Sequence, residues 1–267
     1  MTIHPNNPVP DSNPGDELHH LLDQKYVQYN TPAFIGADPV SIPHLFETRE
    51  DIEIAGFFSA LIAWGQRLTI IRNARALMAR MDMAPYAFVQ GAGPEELARL
   101  DDFVHRTFNG VDARSLVLAL RAVYLAYGSL EAIFAVPPTA SDVMPGLLRA
   151  RTILTSTPDF APRTHKHIAD PSRGSSAKRL NMYLRWMVRR DTCGVDFGLW
   201  TAIQPAQLIC PLDVHTGNVA RKLGLLTRTQ DDWQAALALT EALRLYCPED
   251  PVRYDFSLFG LGVNKEV

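Results

Sequence analysis

Apolar residues recur at helical spacing along most of the chain, and no run alternates convincingly between apolar and polar at period two. That pattern predicts an all-α fold. Residues 50–62 are the extreme case, apolar all round through Ile52, Ile54, Ala55, Phe57, Phe58, Leu61 and Ile62, as in a helix enclosed by core. Glu50 and Asp51 open it, which suits the positive end of a helix dipole. Residues 16–29 place Leu18, Leu21, Leu22, Tyr26 and Tyr29 on one face. Further helices are expected over 68–81, around 85–89 and 94–100, and over 112–127, where Gly128 is the stop signal. Others follow over 141–154, 178–190 and 213–223, and from a cap at 229–232 through 246. A last one starts near Pro251 and runs through Phe259.

The segments between them read differently. Residues 1–15 hold four prolines and three asparagines without periodicity, the signature of a mobile tail. Residues 30–48 carry Pro32, Pro39 and Pro43 among Phe34, Ile35, Ile42, Leu45 and Phe46, an ordered and packed connection. Residues 155–177, rich in Thr, Ser, Pro and Gly, form a connector, and 191–212 a loop.

With 47% hydrophobic and 21% charged residues over 267 positions, the chain has enough apolar material for a substantial core. No apolar run reaches bilayer length and the first residues lack an apolar signal core, so no membrane partner and a cytoplasmic location are expected. Cys193, Cys210 and Cys247 are odd in number, widely spaced and free of any CxxC, which points to reduced cysteines in or near the core. His165, His167 and His215 have no acid or cysteine at metal-ligand spacing, so no metal is assigned. There is no GxxxxGK[ST] and no GxGxxG after a strand, so no nucleotide cofactor is expected.

Charge is distributed unevenly. Eight Lys and Arg fall between Arg163 and Arg190 against one acid, Asp170, whereas the rest of the chain carries 18 basic and 28 acidic residues. One basic segment on an otherwise acidic molecule suggests an anionic partner docked at one place. Helical spacing puts Leu180, Tyr183, Leu184, Met187 and Val188 of this segment inward and its arginines mostly outward, with Trp186 on the core face.

Chemistry-bearing residues cluster in the same region. Gly174-Ser175-Ser176-Ala177-Lys178 is a small-residue turn opening a helix, where free backbone N–H groups and the helix dipole cradle a phosphate. A plain helix start capped by Ser175 or Ser176 is the simpler reading of those residues. Lys178, between Arg173 and Arg179, has cationic neighbours that favour a neutral, nucleophilic amine able to attack a sugar C1′. An exposed helical lysine is the simpler alternative. Asp213 heads the next helix, where N-capping suffices to explain it, and where a carboxylate facing a groove also stabilises developing positive charge. Trp64-Gly65-Gln66-Arg67 interrupts two buried helices. Gln66 at such a corner fills the space left by an extruded base, or marks an ordinary turn.

RGSSAKRLNMYLRWMV followed by PLDVHTGNVARKLGLL resembles the helix-hairpin-helix/Gly-Pro-Asp superfamily of DNA glycosylases. In that resemblance Gly174 matches the first hairpin glycine, with Ser176 in place of the second. Lys178 matches the lysine nucleophile of bifunctional members, and Asp213 the catalytic aspartate. FFSALIAWGQR resembles the buried helix that ends near a glutamine contacting DNA, here Gln66. The chain as a whole resembles a family of conserved bacterial proteins of uncharacterised function.

The resemblance implies a helix-hairpin-helix DNA glycosylase-like architecture, two helical subdomains flanking a groove. Residues 16–50 with 200–267 would form one lobe and 51–199 the other, so that Lys178 and Asp213 meet at the cleft. It implies catalytic roles for those two residues and contacts to duplex DNA with a flipped base from Gln66, Arg67, Arg173, Gly174, Ser175, Ser176, Arg179, His215 and Arg221. The implied activity is excision of a damaged base, with a lyase step through Lys178. Two other readings stay open. One is a non-enzymatic nucleic-acid-binding module, the other a helical protein whose basic face binds an acidic partner.

Overall fold

The computed structural model describes residues 14–267. The fold is all-α. In chain order the α-helices are α1 (Pro14–Tyr29), α2 (Pro32–Ile35), α3 (Arg49–Leu61), α4 (Arg67–Arg80), α5 (Pro85–Gly91), α6 (Pro94–Ala98) and α7 (Gly110–Tyr127). They continue with α8 (Leu130–Phe134), α9 (Met144–Thr155), α10 (Lys178–Val188), α11 (Val214–Lys222), α12 (Trp233–Arg244) and α13 (Asp255–Val263). Residues 1–13 of the expected tail lie outside the described residues, and Pro14 and Gly15 already belong to α1.

The apolar segment becomes α3, buried from Ile52 through Leu61. Thr48 starts it by accepting the Asp51 N–H on its side chain, with Glu50 and Asp51 in the first turn. α10 crosses α3 at Gly56, where a Cβ would come within 3.2 Å of Met187 and 3.3 Å of Tyr183, so the missing side chain permits the close approach. At the other end of the chain, α13 packs on both α1 and α11. Gly260 of α13 lies so close to α1 that a Cβ there would fall 2.0 Å from the Tyr29 ring.

One buried acid ties the central helices to the long loop that follows α10. Glu53 is fully buried on α3 and accepts from Arg49 Nε (3.0 Å), the Tyr124 hydroxyl (2.8 Å), Trp200 Nε1 (2.8 Å) and the Leu130 N–H (3.2 Å). The loop itself, expected over 191–212, lies against α10 through Phe197 N–H to Trp186 O (2.7 Å) and Trp200 N–H to Met187 O (2.9 Å).

Several expectations need correction. Of the arginines expected to face mostly outward from 178–190, Arg190 is exposed and Arg179 half-buried, but the other two turn inward. Arg185 and Arg189 are buried, and Arg189 is 1% exposed. Arg185 pairs with Asp196 and Asp255, and Arg189 with Asp191 (3.0 Å), Asp196 (2.8 Å) and Asp250 (2.8 Å). A buried guanidinium is tolerable only with such partners. The helix also stops at Val188 rather than 190. Between α6 and α7 a small antiparallel hairpin pairs β1 (Val104–His105) with β2 (Phe108–Asn109), too short to leave a period-two signature. Proline starts a 3-10 turn at Pro39–Ser41, Pro43–Leu45, Pro171–Arg173 and Pro251–Tyr254, so the last α-helix begins at Asp255. Cys210 and Cys247 are buried, Cys193 is half-buried, and all three are free thiols. Among the described residues no helix is long and apolar enough to cross a membrane.

Candidate functional site

Helix starts converge on one cavity of about 940 Å³, lined from α4, α10, α11, α13 and the turn around Asp38. That volume lies within the range of about 300–1,000 Å³ usual for small-molecule sites.

α10 enters it without a side-chain cap. Its N-cap residue is Ala177, in the left-handed region at φ 50°, so neither Ser175 nor Ser176 caps the helix. Ser175 Oγ instead accepts the Ala177 N–H (3.2 Å), and Ser176 Oγ donates to Leu212 O (3.3 Å). The first amides of α10 therefore keep the partial positive charge of an uncapped helix start. The turn before it is a tight loop, in which Gly174 adopts φ 87° and its carbonyl accepts the Trp233 N–H (3.3 Å). Arg173, Gly174 and Ser175 are exposed on this turn.

Asp213 precedes α11 and caps it. Its Oδ1 accepts the N–H groups of His215 and Thr216, each at 3.0 Å. Oδ2 points the other way and lies 3.6 Å from Nζ of Lys178. Both side chains line the cavity and both are partly exposed there, so capping and the ion pair share one carboxylate.

The other residues singled out from the sequence are placed less uniformly. Arg67 lines the cavity with its guanidinium 4.9 Å over the Phe259 ring. Gln66 is exposed at the corner between α3 and α4, where its neighbours Gly65 and Arg67 line the cavity and it does not. Gly65 suits that corner because its φ of +106° lies in a region that residues with a side chain rarely adopt. Arg179 is half-buried, donates to Leu61 O and lies 4.7 Å over the Trp64 ring. Burial lowers its pKa to about 10. His215 is exposed on α11 and also lines the cavity. Arg221 is held by Asp231 (2.6 Å) and the Arg228 carbonyl (2.7 Å).

The cavity also contains groups that sequence patterning does not reveal. Asp38, 7% exposed, caps the Pro39–Ser41 turn by accepting the Val40 N–H at 3.0 Å. Asp255 is paired with Arg185, and burial pushes it up to about 6 against the pull of Arg185 and Lys178. Phe34, Trp64, Met182 and Phe259 supply apolar wall, and Leu68, 83% exposed, stands at its edge. Among the described residues no group of His, Cys, Asp and Glu gathers as a metal site.

No curated protein and no solved structure matches the chain. A family model does, that of a protein of unknown function (DUF2400), over residues 38–264.

Proposed function

The chain belongs to the DUF2400 family of proteins of unknown function, and we propose that it is a DNA glycosylase with a lyase step, acting on a damaged base. One observation carries this reading. An amine and a carboxylate from separate helix starts, Lys178 and Asp213, lie 3.6 Å apart in one cavity.

The turn from Arg173 to Ser176 and the uncapped start of α10 offer backbone N–H groups and positive charge to a phosphate, with no base-specific contact needed. Docking there brings the flanking nucleotide to the cavity. Extruding it costs a few kcal/mol, least for a damaged or mismatched base. Lys178 passes a proton to Asp213 Oδ2, and the freed amine attacks C1′. The C1′–N bond breaks, its electron pair leaves with the base, and the base takes the proton from Asp213, which restores the carboxylate. The carboxylate then takes the extra proton from the Lys178 nitrogen, whose lone pair opens the sugar ring to an iminium as Asp213 returns that proton to O4′, and the restored carboxylate faces the positive charge.

Borohydride reduction tests this directly. Duplexes carrying a panel of damaged bases, incubated with the protein and borohydride, are expected to yield a covalent adduct with the wild type and none with Lys178→Ala. No adduct with either protein on any duplex rejects the lyase step.

The geometry of Asp213 also favours a second reading, a non-enzymatic nucleic-acid-binding module. Its cap to α11 and its ion pair with Lys178 form a complete structural role. On that reading Asp213→Asn leaves duplex affinity and biological activity unchanged.

A further inference from the structure

Four aspartates line the cavity, and three of them have a cationic partner. Asp213 faces Lys178 at 3.6 Å, Asp231 faces Arg221 at 2.6 Å, and Asp255 faces Arg185. Asp38 is the exception, for among the described residues it makes no ion pair. It is 7% exposed, and one oxygen accepts the Val40 N–H at 3.0 Å. The turn therefore fixes the carboxyl, with one oxygen on the backbone and the other without a hydrogen-bond partner among the described residues.

We propose that Asp38 is a specificity-determining residue of this cavity, whose carboxyl, when it carries its proton, donates a hydrogen bond to an acceptor atom on a bound heterocycle. The proposal rests on the nucleotide-binding reading above, and names what holds the base once it is inside. Burial raises the Asp38 pKa and so shifts the carboxyl towards its protonated form, which has one O–H to donate. Because Oδ1 accepts from Val40, the hydroxyl belongs on the oxygen left for the cavity. Phe34, Trp64, Met182 and Phe259 form apolar wall suited to a flat ring, and a nucleobase supplies ring nitrogens and carbonyls as acceptors. Lys178 and Arg185 from α10 and Arg67 from α4 act on Asp38 from the opposite sense, favouring its anion, while burial outweighs them and raises its pKa. Asp213 and Asp255 are the other carboxyl groups near Lys178 and Arg185 in the same cavity.

Calorimetric titration of the full chain with adenine, guanine, hypoxanthine and 8-oxoguanine, and with indole as a ring lacking an acceptor, tests the assignment. At least one base is expected to bind and indole is not. Asp38→Ala is expected to weaken that base about tenfold, the scale of one buried hydrogen bond. Asp38→Asn is expected to bind within about twofold of wild type, because its oxygen stays with Val40 and its NH₂ group faces the cavity as a donor. Wild-type affinity should fall as pH rises and the acid is lost, whereas the Asn variant should lack that component. Should Asp38→Ala not fold, the Asn pH profile decides. Equal binding by wild type and Asp38→Ala, an unchanged pH profile in the Asn variant, or no base bound by the wild type overturns the proposal.

A duplex with a tetrahydrofuran abasic analogue, which has no base, separates this from the function itself. Its binding by wild type and Asp38→Asn alike leaves the DNA reading standing whatever the calorimetry returns. Its failure to bind rejects the DNA reading, and the heterocycle site is then judged on the free bases alone.

Discussion

Oδ2 of Asp213 lies 3.6 Å from Nζ of Lys178 while Oδ1 of the same carboxylate accepts two backbone N–H groups at the start of α11. The two roles separate by substitution. Asp213→Asn keeps an oxygen for the cap and loses the charge facing Lys178. Its stability should change by no more than a few tenths of a kcal/mol, whereas Asp213→Ala should lose about 0.5–2 kcal/mol. On the glycosylase reading both variants lose the borohydride adduct, so stability by urea denaturation and trapping move independently. An adduct at wild-type yield from Asp213→Asn would show that the carboxylate is a cap and nothing more.

Glu53 is the most heavily engaged acid described in the core, joining α3 to Tyr124, Leu130 and Trp200. Glu53→Ala leaves Arg49 with Glu131 alone and leaves the Trp200 indole N–H and Tyr124 hydroxyl without their acceptor. A loss of about 3–5 kcal/mol is expected, as when one member of a buried charged network is removed. Glu53→Gln retains acceptor oxygen and should lose less. The denaturant midpoints of the two variants check this, and equal losses would argue that volume rather than hydrogen bonding matters there.

How much of this was legible in the sequence follows from what periodicity records. It marks which residues face apolar surroundings, so α3, α7 and α12 stand out, whereas α8 with five residues and the two-residue strands do not. It does not mark the partner of a charged residue. Arg185 and Arg189 look like exposed positive charge until Asp196, Asp250 and Asp255, remote in the chain, fold against them. The basic segment is consequently less positive at the surface than its composition suggests. Lys178 and Asp213 stand out through their motif, and their side chains do meet. Asp38 sits in a proline-rich connection with no pattern around it, and only the tertiary fold brings it beside Lys178 and Arg67.

Asp250 should impose a pH dependence on stability. Burial raises its pKa to about 6, against the attraction of Arg189. The folded protein then holds that proton more tightly than the unfolded chain. The resulting stabilisation is fully present below the ordinary aspartate range and is lost as pH rises through about 6. Asp250→Asn lacks this contribution, while Asp255 and the other carboxyl groups remain in both proteins. The stability of wild type relative to Asp250→Asn should therefore fall between pH 4 and pH 7, by roughly 2–3 kcal/mol. Urea titrations of both proteins across that interval measure it, and a difference that is flat or rises with pH contradicts it.

Arg173 and Arg221 offer a contrast on the proposed DNA face. Arg173 is exposed beside Gly174 and makes no ion pair among the described residues, whereas Arg221 is held by Asp231 and the Arg228 carbonyl. A phosphate contact releases counterions in proportion to the charge it neutralises. Arg173→Gln should therefore weaken duplex binding across sequences and reduce the salt slope of log K by about 1. Arg221→Gln should leave that slope unchanged and lower the melting temperature instead, since its guanidinium braces α11 against the segment before α12. Fluorescence anisotropy over a salt series distinguishes them. Identical slopes for wild type and Arg173→Gln would remove the turn from Arg173 to Ser176 from the DNA contact, while a reduced slope for Arg221→Gln would mean that its ion pair opens on binding.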